Sequence, residues 1–240
     1  MRRTSDEYSA QLLGQKIYPR FLDTATIEKA SAQVLELAGI GYSAESIPVP
    51  VDEIVEGYLR YHLEFDDLHG QNALGATYPK TRRVVVDESL DPADHPENLT
   101  RFRFTLGHEI GHIRLHLAYL QGLSEEPNET GPDCIVGEHV LDRQADMFAA
   151  SLLMPTTAVQ EVIQDEKQAL LAGLARTRVH DFLLILIASM ARRFQVSRKS
   201  MEIRLSTLGL LVETEPESER VTASDEWQHR MEQLARLKSF

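Results

Sequence analysis

The sequence predicts an α+β fold, mostly helical, with a small three-stranded antiparallel sheet. Three observations predict it. Two long segments, RFRFTLGHEIGHIRLH and GEHVLDRQADMFAASLLMP, carry apolar residues at helical spacing. Upstream of them the runs YHLEF, ALGATY and RRVVVD read as short strands separated by turn formers. A chain of 240 residues that is 42% hydrophobic also has enough apolar surface for a substantial core.

Taken in order, residues 1–24 read as a polar arm. A helix is expected over 25–38 from the spacing of Ile27, Ala30, Val34 and Leu37, and a short one around 51–59, after Pro48 and Pro50. The three strands follow. Residues 82–87 are the expected edge for an extended peptide, because strand addition grips backbone with little sequence preference. The first long helix, about 98–117, has Phe102, Leu106, Ile110, Ile113 and Leu117 as its core stripe; the second, about 138–154, has Leu141, Ala145, Phe148 and Leu152. Between them lies AYLQGLSEEPNETGPDCIVG, rich in turn formers and acids and read as a loop able to gate a site. A helical part follows at 178–212, with Ser197 as an N-cap and Met201, Ile203, Leu205, Leu208 and Leu210 as apolar packing surface. Residues 213–240 read as an acidic linker and a final amphipathic helix with Trp227, Met231, Leu234 and Leu237 on one side.

The chemistry concentrates in His108, Glu109, Ile110, Gly111 and His112. Two imidazoles four residues apart stack on one helical face and can reach a single cation. Glu109, one step round the helix, is placed to deprotonate a water rather than to ligate. Chance supplies this pattern roughly 0.03 times in a chain of this composition, so it carries information. Gly107 and Gly111 form a second row, and each costs an exposed helix interior about 1 kcal/mol relative to alanine. Some close approach is therefore expected, either tight helix packing or a strand or substrate backbone passing over the histidines.

A water-activating zinc takes three protein donors and keeps one position open. The second long helix offers an acidic row, Glu138, Asp142 and Asp146, beside its apolar stripe. A row bordering a core stripe is expected to be partly buried, and a partly buried carboxylate favours a cation. Tyr78, His139, Arg143 and His180 are candidate donors to an oxyanion.

The run R-F-T-L-x-H-E-x-G-H at Arg103–His112, then an acidic residue and A-[ND]-x-F-A-A-x-L-L-M-P over Asp142–Pro155, resembles the ImmA/IrrE family of metallo-endopeptidases. FQVSRKSMEIRLSTLGLL, residues 194–211, is similar to the stretch that closes that family's catalytic domain, and the resemblance spans roughly residues 46 to 212. It implies a zincin-like metallopeptidase domain at 25–212 and one Zn2+ per chain. His108, His112 and Asp142 would be the ligands, with Glu138 as the alternative third, and Glu109 the catalytic base. Asp146 would orient a histidine ring from outside the coordination sphere. The family usually has glutamate where this chain has Asp142, and often glutamate where it has Gln144. Aspartate is one methylene shorter, so the second helix has to sit closer. The implied partner is a protein substrate, a helix-turn-helix repressor cleaved to relieve repression. A weakly active or inactive interaction module of antitoxin type, and a DNA-binding regulator with structural zinc, are the alternatives.

Composition narrows the setting. The expectation is a cytoplasmic protein, since no apolar run approaches the length of a membrane span and no secretory signal pattern follows the basic N-terminus. A single cysteine, Cys134, excludes an internal disulfide and reads as an ordinary loop thiol. A net charge of −12 argues against direct nucleic-acid binding by the surface at large, although Arg192, Arg193, Arg198, Lys199 and Arg204 cluster locally.

Overall fold

Asp23 starts the first helix by accepting the Thr26 amide at 2.7 Å, and α1 then runs Thr24–Leu37 with Ile27, Val34 and Leu35 on its buried face. This computed structural model describes residues 21–68, 73–121, 138–173 and 179–211. The polar arm up to residue 20, the loop residues 122–137 with Cys134, and the linker and helix expected at 213–240 lie outside the described residues. The chain divides into two compact units, one of residues 1–41 and 49–153, the other of residues 42–48 and 154–240.

In the first unit, α2 (Val51–Glu53) passes into a π-helical turn, Ile54–Tyr58, which buries Val51, Ile54 and Val55. Strands β1 (His62–Asp66), β2 (Gly75–Tyr78) and β3 (Arg83–Asp87) follow, in the order β1-β3-β2. Strand directions alternate along the chain, as an antiparallel reading requires. Neighbour order differs, because β3 inserts between the other two: it pairs antiparallel with β2 and parallel with β1, so the sheet is mixed. The physical reason lies in β3 itself. Val84, Val85 and Val86 form a continuous buried run, which suits a strand covered on both faces and paired on both sides. The same fact corrects the substrate-edge expectation. Residues 82–87 contain the central strand, which has no edge to offer, and among the described residues β1 and β2 lie at the margins instead. By register and alternation, Leu63, Phe65, Gly75, Thr77, Val84 and Val86 share one face of the sheet. Asp87, buried at the end of β3, accepts the Leu68 amide at 3.0 Å and the Ser89 amide at 3.1 Å.

Helix α3 spans Leu99–Leu115 and buries Phe102, Leu106, Ile110 and Ile113; Leu117 falls beyond its end, in the short α4 (Leu117–Leu120). The Arg103 guanidinium, itself buried, donates to the Val49 carbonyl at 2.8 Å and ties α3 to the chain before α2. Helix α5, Glu138–Leu153, buries Leu141, Ala145, Phe148 and Leu152 as the apolar spacing requires. α3 and α5 make the most extensive helix pair among the described residues. Glycine lets them. A methyl on Gly111 would lie 3.0 Å from the Ala145 Cα and 3.2 Å from its carbonyl oxygen, and one on Gly107 would lie 3.2 Å from the Ala149 Cβ. Tight helix packing is thus the reason for the glycine row. On the far side of α5, Ser31 of α1 and Ser151 share a buried hydrogen bond of 2.6 Å, and Ser151 donates to Glu28 at 2.9 Å.

The second unit holds α6 (Thr156–Gly173), α7 (Val179–Phe194) and α8 (Arg198–Thr207). Ser197 caps α8, accepting the Ser200 amide at 3.0 Å. Met201, Leu205 and Leu210 are buried, but Ile203 is exposed, because two residues along a helix from Met201 lies on the opposite face. Buried Arg204 donates to the Met154 carbonyl at 3.0 Å and to the Thr156 hydroxyl at 3.2 Å. That guanidinium is committed inside the fold, so Arg204 does not add to the local cluster of exposed basic residues.

An exposed helical glycine gains about 1 kcal/mol on replacement by alanine, whereas overpacking a core costs about 1–3 kcal/mol. Gly111→Ala meets backbone, which cannot rotate away, so the loss outweighs the gain. The variant is expected to be less stable by on the order of 1 kcal/mol, read as a lowered midpoint in thermal or urea unfolding.

Candidate metal centre

His108 and His112 leave α3 one turn apart, and α5 runs antiparallel beside them, so its acidic residues meet them in reverse order. The His108 and His112 Nε2 atoms lie 2.9 Å apart, and His112 Nε2 lies 3.6 Å from Asp142 Oδ1. Among the described residues these three side chains form the one group whose donor atoms all fall within 4.8 Å of one another. Tetrahedral zinc with bonds of about 2.0–2.1 Å holds its donors about 3.3 Å apart, and the two observed separations bracket that value. Two imidazoles and a carboxylate are also a donor set zinc accepts. The residues present therefore fit the ion.

The outward ring nitrogens are occupied. His108 Nδ1–H donates to Asp146 Oδ1 at 2.8 Å. His112 Nδ1 contacts His116 Nδ1 at 3.1 Å, and His116 Nε2 contacts Gln144 Oε1 at 2.9 Å. With Nδ1 turned away on both rings, their Nε2 atoms face each other at a separation that needs a proton or a cation between two lone pairs.

Glu109 lies about 100° round α3 from His108 and points towards the sheet, while staying close enough for the His108 and Asp142 charges to act on it. Thr77 Oγ1 donates to Glu109 Oε2 at 2.7 Å. A methyl on Gly75 would lie 2.7 Å from Glu109 Oε1 and 2.8 Å from the Thr105 methyl, so only glycine leaves room for the carboxylate. Gly75 and Thr77 alternate on one face of β2 and together hold this side chain, which is 5% exposed.

Burial works against charge at all these groups. At His108 that penalty is outweighed by the Asp146 hydrogen bond and by the Glu109, Asp146 and Asp142 carboxylates, so its pKa lies above the usual 6.5. Burial carries His112 well below 6.5, helped by the His108 and His116 rings. His116 is also lowered, mainly by burial. For Glu109, burial raises the pKa and Asp142 adds to it, against opposing pulls from His108 and the Thr77 hydroxyl.

The other residues singled out in the sequence are distributed unevenly. Asp142 and Asp146 are exposed, at 54% and 56% of their side-chain surface, rather than partly buried, since they lie on the side of α5 away from its core stripe. Tyr78 falls on the opposite face of β2 from Thr77, with the Arg83 guanidinium 5.1 Å from its ring centre, so it does not join the centre. His139 and Arg143 are exposed on α5, His139 one turn before Asp142. The side chains of Glu138 and His180 lie outside the described residues. Thr77, Gly75 and His116 were not anticipated as parts of the site. The four-residue step from His112 to His116 was a usable signal; nothing local marks Thr77, which is 32 residues from Glu109.

The model of the IrrE N-terminal-like domain, Peptidase_M78, matches residues 58–206, well over half of the chain. The chain belongs to the Peptidase_M78 family. No curated protein matches it. Among solved structures it is similar to a Mycobacterium tuberculosis transcriptional regulator, at 18% identity and a TM-score of 0.46, over 80% of this chain and 57% of that one. The chain thus spans little more than half the length of that relative. As a Peptidase_M78 domain it has a metallopeptidase-type fold, and the family implies a metal ion. No helix among the described residues is long and apolar enough to cross a membrane.

Two outcomes are expected of this Peptidase_M78 centre. Asp142→Ala should lose zinc on dialysis while Glu138→Ala keeps it, read by metal content; the reverse result reassigns the third ligand. Protons compete with zinc for the same imidazole lone pairs. A pKa raised above 6.5 at His108 means that affinity falls as pH drops, with the fall setting in above pH 6.5. Chelator competition at graded pH measures it, and a flat profile through neutrality contradicts His108 as a ligand.

Proposed function

We propose that the chain is a zinc-dependent endopeptidase that hydrolyses a peptide bond in a specific intracellular protein, a DNA-binding transcriptional repressor of helix-turn-helix type, and so relieves repression. One zinc is held by His108, His112 and Asp142. The observation that carries this reading is the convergence of those three donors near a buried carboxylate, Glu109, that is held by the Thr77 hydroxyl and stands outside the donor group. The repressor as substrate follows from family resemblance, and the cytoplasm as the setting from the character of that substrate.

Bound zinc supplies a Lewis acid that acidifies water and polarises a carbonyl. Glu109 is the group that takes the proton of the attacking water. Its pKa, raised by burial, brings the carboxylate closer to neutral pH, the condition for an effective base. Thr77 occupies Oε2, which leaves Oε1, the oxygen beside Gly75, to receive the proton. The same carboxyl then returns the proton to the leaving amine. Among the described residues β2 is an edge strand, and an extended substrate segment would pair with it, the strand that carries both Gly75 and Thr77.

Incubating the zinc-loaded protein with candidate regulators and following fragments by mass spectrometry tests the reading. Cleavage is expected with wild type and none with Glu109→Gln, which should keep its zinc. Thr77→Val removes the hydrogen bond without changing shape, and should lower kcat by about 10- to 100-fold, the worth of a bond to a charged group, with metal content unchanged. A zinc-loaded wild type that cleaves none of its cognate regulators favours the interaction-module alternative.

A further inference from the structure

Behind His112, away from the three converging donors, lies a buried polar pair that the hydrolytic steps do not use. His116 is 1% exposed and Gln144 2%. Groups so deeply buried are kept only when hydrogen-bonded, and here the bonds form a line. Gln144 Oε1 meets His116 Nε2 at 2.9 Å, His116 Nδ1 meets His112 Nδ1 at 3.1 Å, and His112 Nε2 faces the metal position.

A neutral imidazole has one N–H and one bare nitrogen, so each link fixes the next. An amide oxygen only accepts. His116 must therefore carry its hydrogen on Nε2, which leaves Nδ1 as an acceptor. His112 then donates from Nδ1, and its Nε2 is left bare, the form that binds a metal. Reversing the first link reverses the rest. Were an N–H presented to His116 Nε2, its hydrogen would move to Nδ1, His112 would carry its own on Nε2, and the ligand atom would be blocked.

We propose that Gln144 and His116 are positioning residues that set the tautomer of His112, so that an acceptor on α5 fixes the donor capacity of a ligand on α3. The proposal rests on the metal-binding part of the function above, and not on peptide hydrolysis or on the identity of a substrate. Asp146 performs the matching task for His108 by a direct bond, whereas His112 is served through an intermediate ring.

The test uses the full chain and zinc alone. Zinc affinity is measured by chelator competition for wild type, Gln144→Glu, Gln144→Leu and His116→Phe, with helical content followed by circular dichroism, and 15N NMR on histidine-labelled, zinc-loaded wild type reports which ring nitrogen carries each hydrogen. Gln144→Leu and His116→Phe are expected to lose about 10- to 100-fold in affinity, the usual effect of removing a partner that orients a ligand, while Gln144→Glu stays close to wild type. His116 should be protonated on Nε2 and bare on Nδ1, a readout that needs no variant and survives any that fail to fold. Folded Gln144→Leu and His116→Phe with wild-type affinity, or a hydrogen on His116 Nδ1, overturns the proposal. A wild type that takes up no zinc overturns the metal centre itself, whereas tight wild-type binding beside unaffected variants overturns the relay alone.

Discussion

The close approach of α3 and α5 is the constraint on which the centre depends. Gly107 packs on Ala149 and Gly111 on Ala145, and the interleaved polar pairs follow the same antiparallel order, His108 with Asp146 and His112 with Asp142. Both rows advance four residues at a time, one along each helix, so a single spacing sets the packing contacts and the polar ones. Helices that meet through larger side chains stand 8–10 Å apart. Removing the Cβ from one partner lets backbone approach backbone, which is what a short carboxylate needs to reach His112 across the gap. The Gly111–Ala145 contact thus sets the gap across which Asp142 comes to 3.6 Å from His112.

α3 works on two sides. Consecutive residues on a helix differ by about 100°, so His108 and Glu109 take their hydrogen bonds from different elements, His108 from Asp146 on α5 and Glu109 from Thr77 on β2. The consequence is a difference in solvation. The acidic residues that meet the histidines keep more than half of their side-chain surface exposed, while Glu109 is enclosed and has the Thr77 hydroxyl to offset its desolvation. Opposite pulls on His108 and His112 fit the same geometry. Burial opposes charge on both rings; the carboxylates about His108 more than offset it, whereas at His112 the neighbouring histidine rings add to it.

What could be read from the sequence is what repeats at a helical or strand period. The stripes Phe102–Leu106–Ile110–Ile113 and Leu141–Ala145–Phe148–Leu152 gave the two long helices and their buried faces, and the three strand segments lie where turn formers bound them. Glycine spacing implied a close approach, and its partners, Ala145 and Ala149, were already members of or neighbours to the expected stripe. Long-range order was hidden. Nothing local states that β3 lies between β1 and β2, although three consecutive valines are a sign of a central strand. The link from Thr77 to Glu109 depends on which face of β2 meets α3, and that depends on the sheet order. Ile203 and Leu208 were grouped with Met201 and Leu205 by composition, whereas helical phase places Ile203 in solvent.

Sheet order has a further consequence for Glu109. With Val84, Val85 and Val86 filling the middle, the small residues Gly75, Ala76 and Thr77 fall to the margin, next to α3. A bulky β-branched strand in that place would exclude the Glu109 carboxylate, as the 2.7 Å approach of its oxygen to a methyl on Gly75 makes plain. Smallness at β2 thus follows from the burial of Glu109, and the marginal position of β2 follows from the apolar run in β3. One short strand thus both borders the sheet and holds the Glu109 carboxylate, through the Thr77 hydroxyl and the space left at Gly75.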